Sequence, residues 1–141
     1  MKKVIITGGN SGIGYQSAKQ LAEKGWSVTL FCRRKEAAEQ ACEEICQQTG
    51  NRHVDYILVD LSDMKSVREA AEQYIQKEDF LDVLINNAAD FDLSVKKPIL
   101  TREGLEKQFA TNVVAPFLLS TLLKGLLEKS KSGRIINISS Q

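Results

Sequence analysis

Short apolar runs alternate along this chain with longer stretches in which apolar residues recur at helical spacing. The runs Val4-Ile5-Ile6 and Val83-Leu84-Ile85 are apolar at every position, which is typical of strands that are buried on both faces of a parallel sheet. The pattern predicts strands at residues 3–7, 27–32, 54–60, 82–86 and 134–139.

Four helices are predicted between these strands, at residues 12–24, 35–48, 63–76 and 102–129. The inner face of the first helix is expected to include Ile13. In the last helix Thr101 is a candidate N-cap, and Pro116 should bend the helix or open a turn. Because βαβ crossovers are right-handed, the alternation predicts an α/β protein with an open, doubly wound parallel sheet that ends after its fifth strand, as a single domain over residues 1–141.

A glycine-rich segment, residues 7–14, follows the first strand and opens the first helix with the sequence T-G-G-N-S-G-I-G. Glycines at such a turn let the backbone approach a phosphate, and the helix N-terminus offers free N–H groups and the positive end of a dipole. The strand–turn–helix context favours phosphate binding over a turn without a ligand. The candidate binding residues are Gly8, Asn10, Ser11, Gly12, Ile13 and Gly14.

The spacing T-G-x-x-x-G-x-G resembles that of the short-chain dehydrogenase/reductase family, and further motifs of that family follow in order over essentially the whole chain. These are Asp60-Leu61 after the third strand, Asn86-Asn87-Ala88-Ala89 after the fourth, Asn112 in the long helix, and G-R-I-I-N-I-S-S ending at Ser140. All except Asn112 lie at carboxyl ends of predicted strands, the edge at which open α/β sheets bind ligands.

The resemblance implies a Rossmann-like fold and hydride transfer between a nicotinamide dinucleotide and a carbonyl or alcohol carbon. In the family a Ser hydroxyl, matched here by Ser140, binds the reacting oxygen, and an Asn, matched by Asn112, holds a water relay. The segments around the second, third and fourth strands look most like the retinol-dehydrogenase-like and protochlorophyllide-reductase-like branch, which implies a lipophilic alcohol or carbonyl substrate. The family's remaining cofactor contacts match Asp60, Leu61, Asn87, Ala88 and Ala89.

The end of the second strand indicates which dinucleotide is bound. A site that prefers NAD usually has Asp or Glu there to accept hydrogen bonds from the ribose hydroxyls, whereas this chain has Cys32 followed by Arg33, Arg34 and Lys35. The missing acid removes repulsion of a 2′-phosphate, and an Arg adds charge-assisted hydrogen bonds. We therefore expect NADP rather than NAD, with Arg33 as the main contact and Arg34 as a weaker one.

The chain departs from the family pattern at its end and at one alanine. The Tyr-x-x-x-Lys that the family carries after the Ser is absent, so residues 1–141 lack the catalytic helix and the substrate-binding segment and are expected to be inactive alone. Tyr15 and Lys19 have that spacing but should face solvent. Ala89 stands where the family has Gly, which is costly only if the position needs a positive φ. An inactive dinucleotide-binding module, or a remnant of a truncated reading frame, is the alternative; a flavodoxin-type nucleotide switch is a weaker one.

Composition narrows the remaining possibilities. The formal net charge is +1, which gives no electrostatic reason to expect a nucleic-acid partner, and no apolar run approaches the length of a membrane span. Three cysteines and one histidine at unsuitable spacings predict reduced thiols, no metal site and a cytoplasmic location. Residues 113–123 are apolar nearly all round, and the fifth strand would be an open edge, so the chain is expected to form a homo-oligomer.

Overall fold

The computed structural model describes residues 1–90 and 97–139, and it contains one sheet of five parallel strands in the order β3-β2-β1-β4-β5. The sheet confirms the predicted doubly wound architecture. β3 and β5 each end two residues earlier than the sequence pattern predicts. The strands are β1 (Lys3–Thr7), β2 (Ser27–Cys32), β3 (Val54–Leu58), β4 (Val83–Asn86) and β5 (Arg134–Asn137).

The three apolar residues of the central strand β1 are fully buried, as its unbroken apolar run predicts. Ile5 packs into one hydrophobic cluster with residues from the third helix and from the last helical region. Val4 and Ile6 point to the opposite side and pack with the first two helices. The sheet is therefore the middle layer of three, and a separate hydrophobic core lies between each of its faces and the helices on that side.

Three regular helices connect the first four strands: α1 (Gly12–Glu23), α2 (Lys35–Thr49) and α3 (Met64–Lys77). Each follows its predicted range to within one residue at either end, and the Asp63 side chain caps α3 by accepting a hydrogen bond from the Lys65 N–H at 3.0 Å. One inward prediction is wrong. Ile13 is 67% exposed, because the first turn of α1 packs on Gly8 and Asn87 through the next residue, Gly14.

The helix predicted over residues 102–129, with a bend or turn at Pro116, is broken into several pieces. Gly104 adopts a φ of +80° in a turn, and the helical region begins only afterwards. Its N-cap is Glu106, whose carboxylate accepts hydrogen bonds from the N–H groups of Gln108 and Phe109, whereas the Thr101 hydroxyl accepts one from the Leu105 N–H within the turn. Pro116 has no N–H to donate to the Asn112 carbonyl, and a π-helical turn occupies the preceding positions. The pieces are α4 (Lys107–Phe109), a π turn (Ala110–Val114), α5 (Ala115–Leu122) and α6 (Lys124–Glu128).

The last helices and the last strand leave apolar side chains in contact with water. Phe117 on α5 is 73% exposed and Val113 is 52% exposed, while β5 forms an edge of the sheet with Ile135 and Ile136 each more than 40% exposed. Adjacent residues of a strand point to opposite faces, so β5 is uncovered on both faces. No helix in the described part of the chain is long and apolar enough to cross a membrane.

Candidate functional site

The strand order reverses between β1 and β4, and hydrogen bonds join the ends of these two strands. The Thr7 hydroxyl oxygen accepts hydrogen bonds from the N–H groups of Asn87 at 2.9 Å and Ala88 at 3.0 Å. In return, Asn87 Nδ2 donates to the carbonyl oxygens of Thr7 at 3.2 Å and Gly8 at 3.3 Å. The segment after β4 is thereby fixed against the glycine loop (residues 7–14), at the edge where doubly wound sheets bind ligands.

Two glycines of the loop are required by this close packing. A Cβ at Gly8 would lie 3.1 Å from both Cα and Cβ of Ala88, and the φ of Gly8 is +66°. A Cβ at Gly14 would lie 2.5 Å from Asn87 Nδ2 and 2.6 Å from the Gly8 carbonyl oxygen. Ala89 has no such constraint: no non-glycine residue in the described ranges has a positive φ, so alanine is unstrained at this position.

The N-terminus of α1 is open to an anionic ligand. Ser11 occupies the N-cap position, but its side chain makes no capping hydrogen bond, and no acidic residue lies in the first turn. Gly12 has a φ of +57°, and a Cβ there would meet no atom within 4 Å. Together with the exposed side chain of Ile13, these features leave free N–H groups beside open space, which is the arrangement that binds phosphate.

A first cleft of about 410 Å³ extends from the glycine loop across the ends of β2 and β3. Seven of the predicted cofactor contacts line it. Asp60 is fixed there by its neighbours: its Oδ1 accepts hydrogen bonds from the N–H and the hydroxyl of Ser62, at 3.0 and 2.7 Å. The lining residues are Gly8, Asn10, Phe31, Cys32, Arg33, Val59, Asp60, Leu61, Ser62, Ala88, Ala89, Asp90, Lys107 and Thr111.

The two arginines after β2 differ in their relation to this cleft. Arg33 is exposed and lines it, whereas Arg34 is exposed at the N-cap position of α2 and is not part of the lining. Cys32, just before them, is buried, and burial raises the pKa of its thiol to about 11, although the N–H groups of Gly9 and Asn10 hydrogen-bond to it. Of the two arginines, Arg33 is therefore the one that can contact a ligand in the first cleft.

Sequence reasoning missed the opposite wall of the first cleft, which contains Asp90, Lys107 and Thr111. Lys107 Nζ lies 4.0 Å from Asp90 Oδ2, so this wall carries an ion pair. Asp90 follows directly on the N-N-A-A segment, which could have drawn attention to it. Lys107 and Thr111 belong to a distant helical region, and no motif connects them to the cleft.

A second cleft of about 450 Å³ lies on the other side of Ala88 and Ala89, between α5 and the ends of β4 and β5. Asn112 lines it, but its side chain is already engaged: Oδ1 accepts a hydrogen bond from the Asp90 N–H at 2.7 Å, and Nδ2 donates to the Asp90 carbonyl at 2.8 Å. The Asn112 side chain therefore holds the backbone of Asp90 in place. Ser139 also lines this cleft, and Ser140 lies outside the described residues.

A pair of asparagines on neighbouring strands also lines the second cleft. Asn86 Nδ2 donates to Asn137 Oδ1 at 2.9 Å, and the two residues are partners in the β4–β5 register. Asn86 is 6% exposed, and its Oδ1 has no hydrogen-bond partner within the described parts of the chain. The second cleft therefore has polar side chains at its base and apolar ones, from Val113 and Phe117, on its α5 side.

The Tyr15 and Lys19 pair is not part of either cleft, but the expectation that both side chains face solvent is wrong for Tyr15. Its ring packs on the core cluster below α1 and α2, and its hydroxyl donates to Glu44 Oε2 at 3.1 Å, because α2 runs beside α1. Burial and Glu44 raise the pKa of Tyr15. A catalytic base needs the opposite shift.

Comparisons with known proteins agree with this geometry. The family model described as short chain dehydrogenase matches residues 2–141. Human retinol dehydrogenase 13 is 44% identical over 140 residues, and the bovine dehydrogenase/reductase SDR family member 12 is 45% identical over 136 residues. These alignments cover 99% and 96% of this chain but only 41% and 42% of the relatives, so the chain spans about two fifths of their length.

Solved structures give the same result for the fold. A metagenomic short-chain oxidoreductase in complex with NADP superposes with a TM-score of 0.85 at 28% identity, and the match covers 99% of this chain and 62% of that one. The RhlG/NADP active-site complex of Pseudomonas aeruginosa superposes with a TM-score of 0.82 at 30% identity, covering 99% and 54%. Sequence, sheet topology and the glycine loop thus lead to one conclusion: the chain belongs to the short-chain dehydrogenase/reductase family.

Proposed function

We propose that this chain forms the cofactor-binding part of an NADP-dependent oxidoreductase that transfers a hydride between nicotinamide and a carbonyl or alcohol carbon. The observation that carries the proposal is the arrangement of the two clefts. They share Ala88 and Ala89 and lie on either side of this segment, at the carboxyl edge of the sheet, and the first cleft reaches the glycine loop. A dinucleotide consists of two nucleosides joined by a pyrophosphate, and it needs two such clefts with an anion site between them.

The residues present fit this cofactor. The open space at Gly12 and the free N–H groups of α1 suit the pyrophosphate. The first cleft, with Asp60 and Leu61 at the end of β3, suits the adenosine half. The second cleft then takes the nicotinamide half, which supplies or accepts the hydride when the cofactor is bound.

The preference for NADP rests on Arg33. The three residues directly after β2 are basic, and Arg33 lines the first cleft, where a 2′-phosphate of the adenosine half would lie. A carboxylate about 4 Å from such a phosphate would oppose binding by about 4 kcal/mol at an effective dielectric constant near 20. A charge-assisted hydrogen bond from an arginine instead contributes about 1.5–3 kcal/mol. The preference for NADP over NAD thus follows from the presence of an arginine, and not of an acidic residue, at position 33.

The catalytic roles in this proposal are those of the family pattern. Ser140 binds the reacting oxygen, and Asn112 positions Asp90 through its side chain while its main-chain carbonyl, which receives no N–H from Pro116, takes part in the water relay. In the family pattern the proton donor is a Tyr activated by a Lys, and residues 1–141 contain no such pair after Ser140. The names of the relatives, and the resemblance to the retinol-dehydrogenase-like and protochlorophyllide-reductase-like branch, favour a lipophilic alcohol or carbonyl substrate.

A titration of the 141-residue chain with NADPH and NADH tests the cofactor assignment. NADPH should bind at least tenfold more tightly than NADH, and Arg33→Ala should remove most of this difference. Arg34→Ala is the matched control, because Arg34 has the same charge and exposure but lies outside the cleft lining. Equal affinity for the two cofactors in the unaltered chain would refute the NADP preference, and no binding of either would refute the proposed function.

Turnover separates the enzyme from the alternative of an inactive dinucleotide-binding module, which the comparisons do not favour. The whole protein should oxidise NADPH in the presence of a lipophilic aldehyde, and the 141-residue chain should bind NADPH without turnover. A whole protein that binds NADPH but reduces no carbonyl compound across a panel of chain lengths would support the inactive module instead.

A further inference from the structure

The first cleft has two cationic walls, and only one of them follows from the family pattern. Arg33 stands at the end of β2, and Lys107 stands on the opposite wall at the start of α4. The Lys107 side chain is 37% exposed and that of its partner Asp90 is 25% exposed, with 4.0 Å between Nζ and Oδ2. Both side chains line the cleft, so both charges act on any ligand that enters it.

Asp90 is an unfavourable residue for a cleft that binds a polyanion. Its carboxylate adds to that of Asp60 on the neighbouring wall, and charges that share a partly buried cleft are weakly screened. The backbone of Asp90 cannot easily move away from the cleft, because the Asn112 side chain hydrogen-bonds both its N–H and its carbonyl group, at 2.7 and 2.8 Å. Binding of a phosphorylated nucleotide therefore requires a nearby cation that offsets Asp90.

The backbone of Lys107 is held in a position that allows this. Its N–H donates to the Ile99 carbonyl at 2.7 Å, and Glu106 immediately before it accepts hydrogen bonds from the N–H groups of Gln108 and Phe109. The main chain of Lys107 is thus anchored on both sides, and its side chain extends from this anchor towards Asp90. Thr111, one helical turn later, lines the same cleft, so this face of the helical region borders the cleft.

We propose that Lys107 determines cofactor affinity in this chain by neutralising Asp90 on the cleft wall opposite Arg33, so that the adenosine half of an anionic dinucleotide can bind between them. The proposal rests on the proposed function and adds a residue to it. In this proposal Lys107 acts on cofactor binding indirectly, because it offsets the negative charge of Asp90. It predicts that the two residues are coupled, and that Lys107 matters only while Asp90 carries its charge.

A double-mutant cycle tests this coupling in the 141-residue chain, with the Kd for NADPH measured by quenching of Trp26 fluorescence or by calorimetry. Lys107→Ala should weaken NADPH binding about tenfold. Asp90→Asn keeps the size and the backbone contacts of the residue and should tighten NADPH binding, because the carboxylate that opposes the anion is removed. The double variant should return to within about twofold of the unaltered chain, and the loss in Lys107→Ala should shrink as salt is raised.

The control is Lys124→Ala, which removes an equal charge from a lysine that is also paired, with Glu128 at 3.7 Å, but that lines neither cleft. It should leave the Kd unchanged, and urea unfolding should show that each variant is folded. An unchanged Kd in Lys107→Ala, or a double variant no better than Lys107→Ala, would overturn the inference. Either result leaves the proposed function intact, since that proposal fails if the unaltered chain binds no nicotinamide dinucleotide or if the whole protein shows no turnover.

Discussion

Replacement of Gly14 by alanine is the most direct test of how the glycine loop is held. Gly14 lies in the first turn of α1 and has an ordinary helical backbone, so alanine is not excluded there by its φ. The constraint is one of space. The added Cβ would lie 2.5 Å from Asn87 Nδ2 and 2.6 Å from the Gly8 carbonyl oxygen, and carbon atoms do not approach these groups so closely.

The cost of this substitution can be worked out from the contacts. Asn87 would have to move, which would break its hydrogen bonds to the Thr7 and Gly8 carbonyls, worth together about 1–3 kcal/mol. The Gly8 carbonyl belongs to the backbone of a tight turn, and overpacking against such a group costs about 1–3 kcal/mol more. Alanine returns about 1 kcal/mol through its higher helix propensity. The net expectation for Gly14→Ala is a loss of about 1–5 kcal/mol.

Gly125→Ala provides the matched comparison, with the opposite sign. Gly125 lies inside α6, its φ is not positive, and a Cβ there would meet nothing within 4 Å. Alanine should therefore stabilise the chain by about 0.5–1 kcal/mol. Urea unfolding of both variants measures the two changes, and a titration with NADPH should show weaker binding for Gly14→Ala only. If the two substitutions changed stability by the same amount, the packing of Asn87 on the loop would not be as described.

Three further predictions concern other parts of the molecule. Burial raises the pKa of Cys32 to about 11 and that of Cys42 to about 12, so at pH 8 only Cys46 should react quickly with an aromatic disulfide reagent; a second fast thiol in the folded chain would contradict this. The 141-residue chain should self-associate through its exposed apolar face, and Phe117→Glu should shift it towards monomer in sedimentation velocity. Asn112→Ala should lower the free energy of unfolding by about 1–3 kcal/mol in urea, because two hydrogen bonds to the Asp90 backbone are lost; an unchanged midpoint would refute that role.

The parts of the fold that could be predicted are those in which local pattern and tertiary structure agree. The strands Lys3–Thr7 and Ser27–Cys32 match the prediction at both ends, because buried parallel strands are largely apolar and these runs end at polar residues or glycine. The position of the glycine loop was also predictable, since its glycines stand between a strand and a helix; the contacts of Gly8 and Gly14 with Ala88 and Asn87 were not. The start of the helix predicted over residues 102–129 is wrong because its helical periodicity extends across Gly104, whose positive φ belongs to a turn before the helical region.

Contacts between distant parts of the chain could not be predicted in the same way. Ile13 is exposed because the first turn of α1 packs on the distant Asn87 through Gly14, a contact that periodicity does not encode. The packing of Tyr15 depends on α2, which supplies Glu44. Lys107 enters the first cleft only because the helical region after Gly104 folds back on the N-N-A-A segment. In each case the deciding neighbour belongs to another element, and its side chain follows no short motif.

The geometry of the joined strand ends explains why two clefts can serve one ligand. Ala88 and Ala89 line both clefts, and Ala88 can shift little, because Thr7 accepts its N–H and Gly8 packs against it with no room for a Cβ. A ligand seated against one side of this segment is therefore fixed in position relative to the other side. Under the proposed function, this segment holds the adenosine half and the nicotinamide half of one cofactor in a fixed relation, and hydride transfer needs such precise positioning. Thr7 and Asn87 connect the two clefts, because their hydrogen bonds join the end of β1 to the segment after β4.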